Sequence, residues 1–166
     1  PEVKELLGEL SGRVQSLAQV QSRILASDDL GKVDFAAYLA DIAAALHRMY
    51  GNGHIALRLD LDAPLTLPVQ RAGPLALLVY EVVLNAFKHA FPDAGRGEVF
   101  VSVDAADDYP TIIVQDDGVG FERGLGGMGT TLIRELALEA DVDVATRRRD
   151  GGGTRVAIRL KPEPTL

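Results

Sequence analysis

The stretch EVVLNAFKHAF, Glu81–Phe91, constrains this chain more than any other part of it. At about 100° per residue, Glu81, Asn85, Lys88 and His89 fall on one stripe of a helix, while Leu78, Val79, Val82, Val83, Leu84, Ala86 and Phe87 cover the remaining circumference. A helix so apolar belongs inside a fold, and its polar seam has to face something polar. Taken alone, the seam reads equally well as the exposed side of that helix, so the neighbouring segments have to decide.

Apolar periodicity orders the rest of the chain. Val3, Leu6, Leu7, Leu10, Val14, Leu17, Val20 and Ile24 recur at spacings of three and four, which predicts a long amphipathic helix over residues 2 to about 26. SDDLGKVD breaks it, and Asp34 has the place of an N-cap for a second helix running to about Tyr50, stopped by GNGH. IALRLDL alternates as a half-buried strand, and Pro64–Pro68 allows a short second one. The seam helix follows, from about Ala72 to Phe91, closed by Pro92. EVFVSVDA and TIIVQDDGVGF read as two strands joined by a polar turn. A short helix, about Thr130 to Ala140, leads into a hairpin of VDVATRR and TRVAIRL across DGGG. This order predicts an α+β fold, a two-layer sandwich of a mixed sheet with helices on one face, preceded by a long helix that belongs to a helical hairpin or bundle. The expected division is residues 1–30 for the detachable first helix and 31–166 for the sheet domain.

Composition narrows the function classes. The 166 residues, 47% hydrophobic and 25% charged, suit one globular domain with a short appendage. A net charge of −7 speaks against nucleic acid as the main partner, and the one basic run, Arg147–Arg149, reads as a solvated turn. Without cysteine the chain has neither disulfides nor thiolate metal sites. Its apolar runs are too short for a bilayer, and no secretory pattern opens it. The expected location is cytoplasmic, with any membrane attachment left to other regions of a longer protein.

Three loops carry the chemistry. DDGVG, Asp116–Gly120, ends a strand with two glycines that permit a tight turn and close approach of backbone to a ligand; an ordinary Asp-Gly turn is the plainer alternative. GLGGMG, Gly124–Gly129, opens a helix, where backbone N–H groups and the helix dipole suit phosphate. GGGT, Gly151–Thr154, is by itself no more than a hairpin turn.

In this order and spacing, E-x-x-x-N-A-x-K-H, D-x-G-x-G, G-x-G and G-T together resemble the nucleotide-binding boxes of the Bergerat-type ATPase superfamily shared by gyrase, Hsp90, sensor histidine kinases and MutL. LNAFKHAFPDAGRGEVFVSV resembles the catalytic domain of the second HisKA-type subgroup of sensor histidine kinases, and residues 12–46 resemble that subgroup's second dimerisation helix and its connection to the ATPase domain. The resemblance implies an ATP-dependent protein-histidine kinase, with Asp116 accepting from the adenine amino group and Asn85 binding Mg²⁺. It implies that Lys88 and His89 neutralise phosphate charge and that Glu81 orients or deprotonates a water or acceptor group. Gly118, Gly120, Gly127 and Gly129 would close loops over the nucleotide, with Thr130 and Thr154 as hydroxyl contacts. Its implied partners are a response-regulator receiver domain and a helical dimerisation segment, its own or a second copy's, in a homodimer.

Two departures from that pattern stand out. No acceptor motif like H-R-x-K-N is present: of the three histidines, His89 belongs to the seam, His54 follows a glycine turn, and His47 reads as a surface or packing residue. Either the chain begins after the acceptor helix, or it phosphorylates a histidine elsewhere. The segment FERGLG between Gly120 and Gly127 is also short for a nucleotide lid, being either truncated or missing residues. Two other readings follow: a degenerate phosphotransfer or docking protein that does not bind ATP, and an anti-sigma-type serine kinase.

Overall fold

The computed structural model describes residues 7, 8, 10–16, 18, 22, 31–105, 109–120 and 128–162. Its elements run β1 (Lys32–Asp34), α1 (Phe35–Tyr50), β2 (Ile55–Asp60), β3 (Thr66–Pro68), α2 (Val69–His89), a 3-10 turn (Pro92–Ala94), β4 (Gly97–Asp104), β5 (Thr111–Asp116), α3 (Met128–Glu139), β6 (Val142–Arg148) and β7 (Thr154–Leu160). A five-stranded sheet in the order β2-β4-β5-β7-β6 is parallel only at β2/β4. Period-two alternation divides its faces. Val99, Val101, Val103, Ile112, Val114 and Ile158 point into the core with Leu39, Leu75, Val79 and Val83 of the helices, while Phe100, Gln115, Arg155 and Arg159 occupy the other face. This is the expected α+β two-layer sandwich.

Local chemistry explains most boundaries. Asp34 caps α1, its Oδ1 accepting from Ala37 N–H at 3.1 Å. The chain leaves α1 through Asn52 and Gly53, both at positive φ. α2 starts at Val69 rather than near Ala72 and continues through Pro74, which removes one helical donor; buried Ala72, Leu75, Ala76, Leu78 and Val79 hold it in place. It also ends at His89, two residues short of Phe91, and α3 begins at Met128 rather than Thr130. β1 is an element that the periodicity does not reveal: three residues long, it pairs antiparallel with β3, placing buried Val33 opposite Leu67. Arg71 braces the far end of the layer, donating to the carbonyls of Ala140 at 3.1 Å, Asp141 at 2.8 Å and Lys161 at 2.9 Å.

Where the first segment is described, it touches α1 and α2. Residues 10–16 are helical, and Leu7, Leu10 and Val14 of the apolar stripe are 58%, 46% and 68% exposed. The opposite side, where Gly12 and Ser16 lie, is the one that meets α1 and α2. Val3, Leu6, Leu17, Val20 and Ile24 lie outside the described residues. Among the described residues, no helix is long and apolar enough to cross a membrane.

Candidate functional site

β5 delivers Asp116 to the end of the sheet, where the residue is 4% exposed. One carboxylate oxygen is committed: Oδ1 accepts from Gly118 N–H at 3.0 Å and from Thr154 N–H at 3.1 Å. Burial raises the carboxyl's pKa above its ordinary value, and the hydrogen bonds from Gly118 and Thr154 and the charge of Arg149 act in the opposite direction. The result is a desolvated acceptor fixed in orientation by two backbone donors.

Glycine is required around it. A Cβ at Gly118 would lie 2.1 Å from the Ala90 carbonyl oxygen, and Val119 N–H donates to the same oxygen at 2.9 Å, so this loop is sealed against the end of α2. At Gly153, with φ +88°, a Cβ would lie 2.0 Å from the Asp116 carbonyl oxygen. Gly151 and Gly152 are also at positive φ, so the GGGT turn is a specific backbone shape packed on the Asp116 loop.

The basic run ends β6 rather than forming a free turn, and although Arg147 and Arg148 are exposed, two of its side chains reach the Asp116 loop. Arg149 Nη1 donates to the Asp116 carbonyl at 2.6 Å, and Arg148 Nη2 donates to the Val119 carbonyl at 3.3 Å. Arg149 N–H closes the hairpin onto Gly153 O at 3.0 Å. Asp117 contributes too, its Oδ1 accepting from Glu98 N–H at 2.7 Å. Sequence reasoning assigned no role to Arg148, Arg149 or Asp117, because their contacts go mainly to backbone groups that every residue possesses.

The α2 seam is not uniform. Asn85 and Lys88 are half-buried and His89 is exposed, whereas Glu81 is 3% exposed. Glu81 does not face an open cavity: Arg13 is its ion-pair partner, Nε engaging Oε1 while Nη2 donates to Oε2 at 3.0 Å. His47 takes a packing role, with its ring Nε2 bonded to the Ile55 carbonyl at 2.8 Å and its ring beside Phe87. Gly120, at φ +76°, lies beside Gly153 and Arg148. Gly129 and Thr130 fall in the first turn of α3. Gly127, the lid segment 121–127 and the side chain of Thr130 lie outside the described residues.

Asp116, Gly118 and Thr154 thus converge at the end of the helix that carries Asn85 and Lys88. The family described as histidine kinase-, DNA gyrase B- and HSP90-like ATPase matches residues 70–164, more than half of the chain. The chain belongs to this ATPase family. A second family, described as histidine kinase, matches residues 1–50; its span runs past residue 30 and takes in α1, which packs into the sheet domain. Blue-light-activated histidine kinase 2 of Erythrobacter litoralis is 33% identical over 142 residues, covering 81% of this chain and 40% of that protein. Sensor histidine kinase PdtaS of Mycobacterium tuberculosis is 31% identical over 102 residues, 57% of this chain and 20% of that protein. The chain therefore spans well under half the length of these relatives. Among solved structures, the histidine kinase domain of an Erythrobacter litoralis blue-light activated histidine kinase superposes with a TM-score of 0.80 at 29% identity, covering 92% of this chain and 74% of that one.

Proposed function

We propose that this chain is the ATP-binding kinase core of a two-component sensor histidine kinase. The observation that carries the reading is the Asp116 carboxylate, buried, with Oδ1 held by the backbone N–H groups of Gly118 and Thr154, an oriented acceptor for an amino group such as that of adenine. Adenine selection by a desolvated acceptor is strong, because a base presenting a carbonyl there would leave two acceptors facing each other. The tight packing of Gly118 on Ala90 and of Gly153 on Asp116 keeps that acceptor in place. Toward the phosphates, Lys88 and His89 in the last turn of α2 supply positive charge, joined by backbone N–H groups at the start of α3 around Gly127, Gly129 and Thr130. Gly120 gives its loop the freedom to close.

Mg²⁺ fits the donor chemistry as a partner of the nucleotide. Among the described residues no group of three or more His, Asp or Glu could hold a metal by itself, and Mg²⁺ characteristically takes one or two protein oxygens together with substrate phosphates. The Asn85 amide oxygen would hold the ion, which would supply neutralisation of phosphate charge. In the transfer, the γ-phosphoryl group leaves ADP and forms a P–N bond with an imidazole nitrogen. Glu81 orients the acceptor or takes its proton, so the chain contributes positioning and electrostatics rather than covalent catalysis. The acceptor histidine lies outside this chain, and the phosphoryl group passes from it to an aspartate of a response-regulator receiver domain.

The exposed Leu7, Leu10 and Val14 support a helical partner for the first segment, from its own protein or a second copy in a homodimer. That feature and the histidine kinase match over residues 1–50 favour this reading over an anti-sigma-type serine kinase, and the intact Asp116 site favours it over a docking protein that does not bind ATP. The full-length protein is expected to work in the cytoplasm.

Calorimetric titration with a non-hydrolysable ATP analogue, with and without Mg²⁺, tests the proposal. Binding should require Mg²⁺ and be lost in Asn85→Ala, with the unliganded melting temperature nearly unchanged. Absence of binding at millimolar nucleotide would sink the kinase reading and favour the docking alternative.

A further inference from the structure

The ion pair of Glu81 joins residues 68 positions apart and ties a group expected at the phosphoryl-transfer site to the first helix. Both carboxylate oxygens are engaged by the Arg13 guanidinium, in a site where Glu81 is 3% exposed. Bidentate pairing of this kind is strong and geometrically specific. A carboxylate paired in this way is committed to the guanidinium rather than to a water or an acceptor imidazole. Asn85, the proposed Mg²⁺ ligand, is one turn further along α2.

Two further contacts seat the same helical stretch. Gly12 lies so close to Tyr80 that a Cβ there would be 2.0 Å from the phenol oxygen. Buried Ser16 shares a hydrogen bond with Tyr38, whose hydroxyl also donates to the Ala76 carbonyl at 3.2 Å. The docking face is therefore small and polar, made to fit α1 and α2, while the opposite face exposes Leu7, Leu10 and Val14.

We propose that residues 10–16 form an inhibitory latch: docked through Gly12, Arg13 and Ser16, the stretch holds both oxygens of Glu81 and withholds that carboxylate from phosphoryl transfer until the helix moves away. The latch rests on the kinase-core reading and on Glu81 acting at the transferred group. It makes the rotation or displacement of one helix a control on catalysis, because the residue that occupies Glu81 travels with the helix whose other face is apolar and exposed.

A pair of matched substitutions tests it on the purified chain. Gly12→Leu and Gly8→Leu both replace a helical glycine, but a side chain at Gly8 meets nothing within 4 Å, whereas one at Gly12 drives into Tyr80. Amide hydrogen exchange over residues 10–16 reports docking, and phosphate release from Mg-ATP reports turnover. Gly12→Leu should speed exchange and raise turnover several-fold, Gly8→Leu should do neither, and adding Glu81→Gln to Gly12→Leu should remove the gain. Arg13→Met, which deletes the pair without adding bulk at Gly12, should act in the same direction as Gly12→Leu. Faster exchange with unchanged or lower turnover would overturn the latch, as would unchanged exchange in Gly12→Leu. A parent chain that fails to bind Mg-nucleotide in the titration above would instead overturn the kinase reading itself.

Discussion

Replacing Gly118 by alanine adds one methyl group and should disable the nucleotide site. The new Cβ would sit 2.1 Å from the Ala90 carbonyl oxygen, 2.6 Å from its carbon and 2.7 Å from the Ala90 side chain. Ala90 closes α2 and cannot retreat, since its own N–H is bonded to the Ala86 carbonyl at 3.2 Å. The loop must therefore withdraw by more than an ångström. That movement breaks the 2.9 Å bond from Val119 N–H to Ala90 and strains the 3.0 Å bond from Gly118 N–H to Asp116. Overpacking of this kind costs about 1–3 kcal/mol, and a lost hydrogen bond adds about 1 kcal/mol. For a chain of this size the melting temperature should fall by about 5–10 °C. Displacing Asp116 should weaken nucleotide binding at least tenfold, about 1.4 kcal/mol. Calorimetric melting and titration measure both effects. Gly73→Ala is the control: this glycine lies inside α2 with nothing within 4 Å of a new Cβ, so the same substitution should stabilise by about 0.5–1 kcal/mol and leave binding alone. A Gly118→Ala protein that melts and binds like the parent would refute the argument that this loop is sealed against α2.

Asp116→Asn should keep the acceptor for Gly118 and Thr154 while turning an N–H₂ toward the adenine amino group, weakening ATP and ADP alike by about 10- to 100-fold; unaltered affinity would remove Asp116 from the adenine contact. Because burial raises the Asp116 pKa in the folded chain, the folded state binds this proton more tightly than the unfolded one. The stability contributed by that protonation is present at acid pH and lost as pH rises through the ordinary carboxylate range toward the folded value. The unliganded Asp116→Asn protein should therefore match or exceed the parent's melting temperature at neutral pH, with any advantage shrinking on acidification in a pH series of melts. Arg71→Met removes three donors to the carbonyls of Ala140, Asp141 and Lys161, and chemical denaturation should show a loss of about 2–3 kcal/mol. Asp34→Ala deletes the α1 cap and should cost about 1 kcal/mol by the same measurement.

The positions of the elements other than β1 and the 3-10 turn were legible because they depend on local rules. Asp34 announces a helix start by its own side chain, and the alternation in EVFVSVDA and TRVAIRL sets which residues of β4 and β7 face the core. Boundaries slipped where packing outweighed propensity, as where α2 runs through Pro74. In the site, Asp116, Gly118 and Thr154 were found from type and spacing, and they are adjacent in space. The seam on α2 was found as well, but its surroundings were not: a stripe of Glu81, Asn85, Lys88 and His89 looks alike whether it lines a cavity or is partly covered.

The sequence by itself determined the order of the strands and helices after β1, the glycine loops that end β5 and open β7, and membership of the ATPase family, because each is written in neighbouring residues or in a spaced pattern. Only the tertiary structure decided that Arg13 occupies Glu81, that Arg149 clamps the Asp116 carbonyl, that β1 pairs with β3, and that Leu7, Leu10 and Val14 are exposed. These are contacts between segments distant in sequence, and several end on backbone groups. A carbonyl oxygen is the same in every residue, so no pattern of side chains announces which one an arginine will meet.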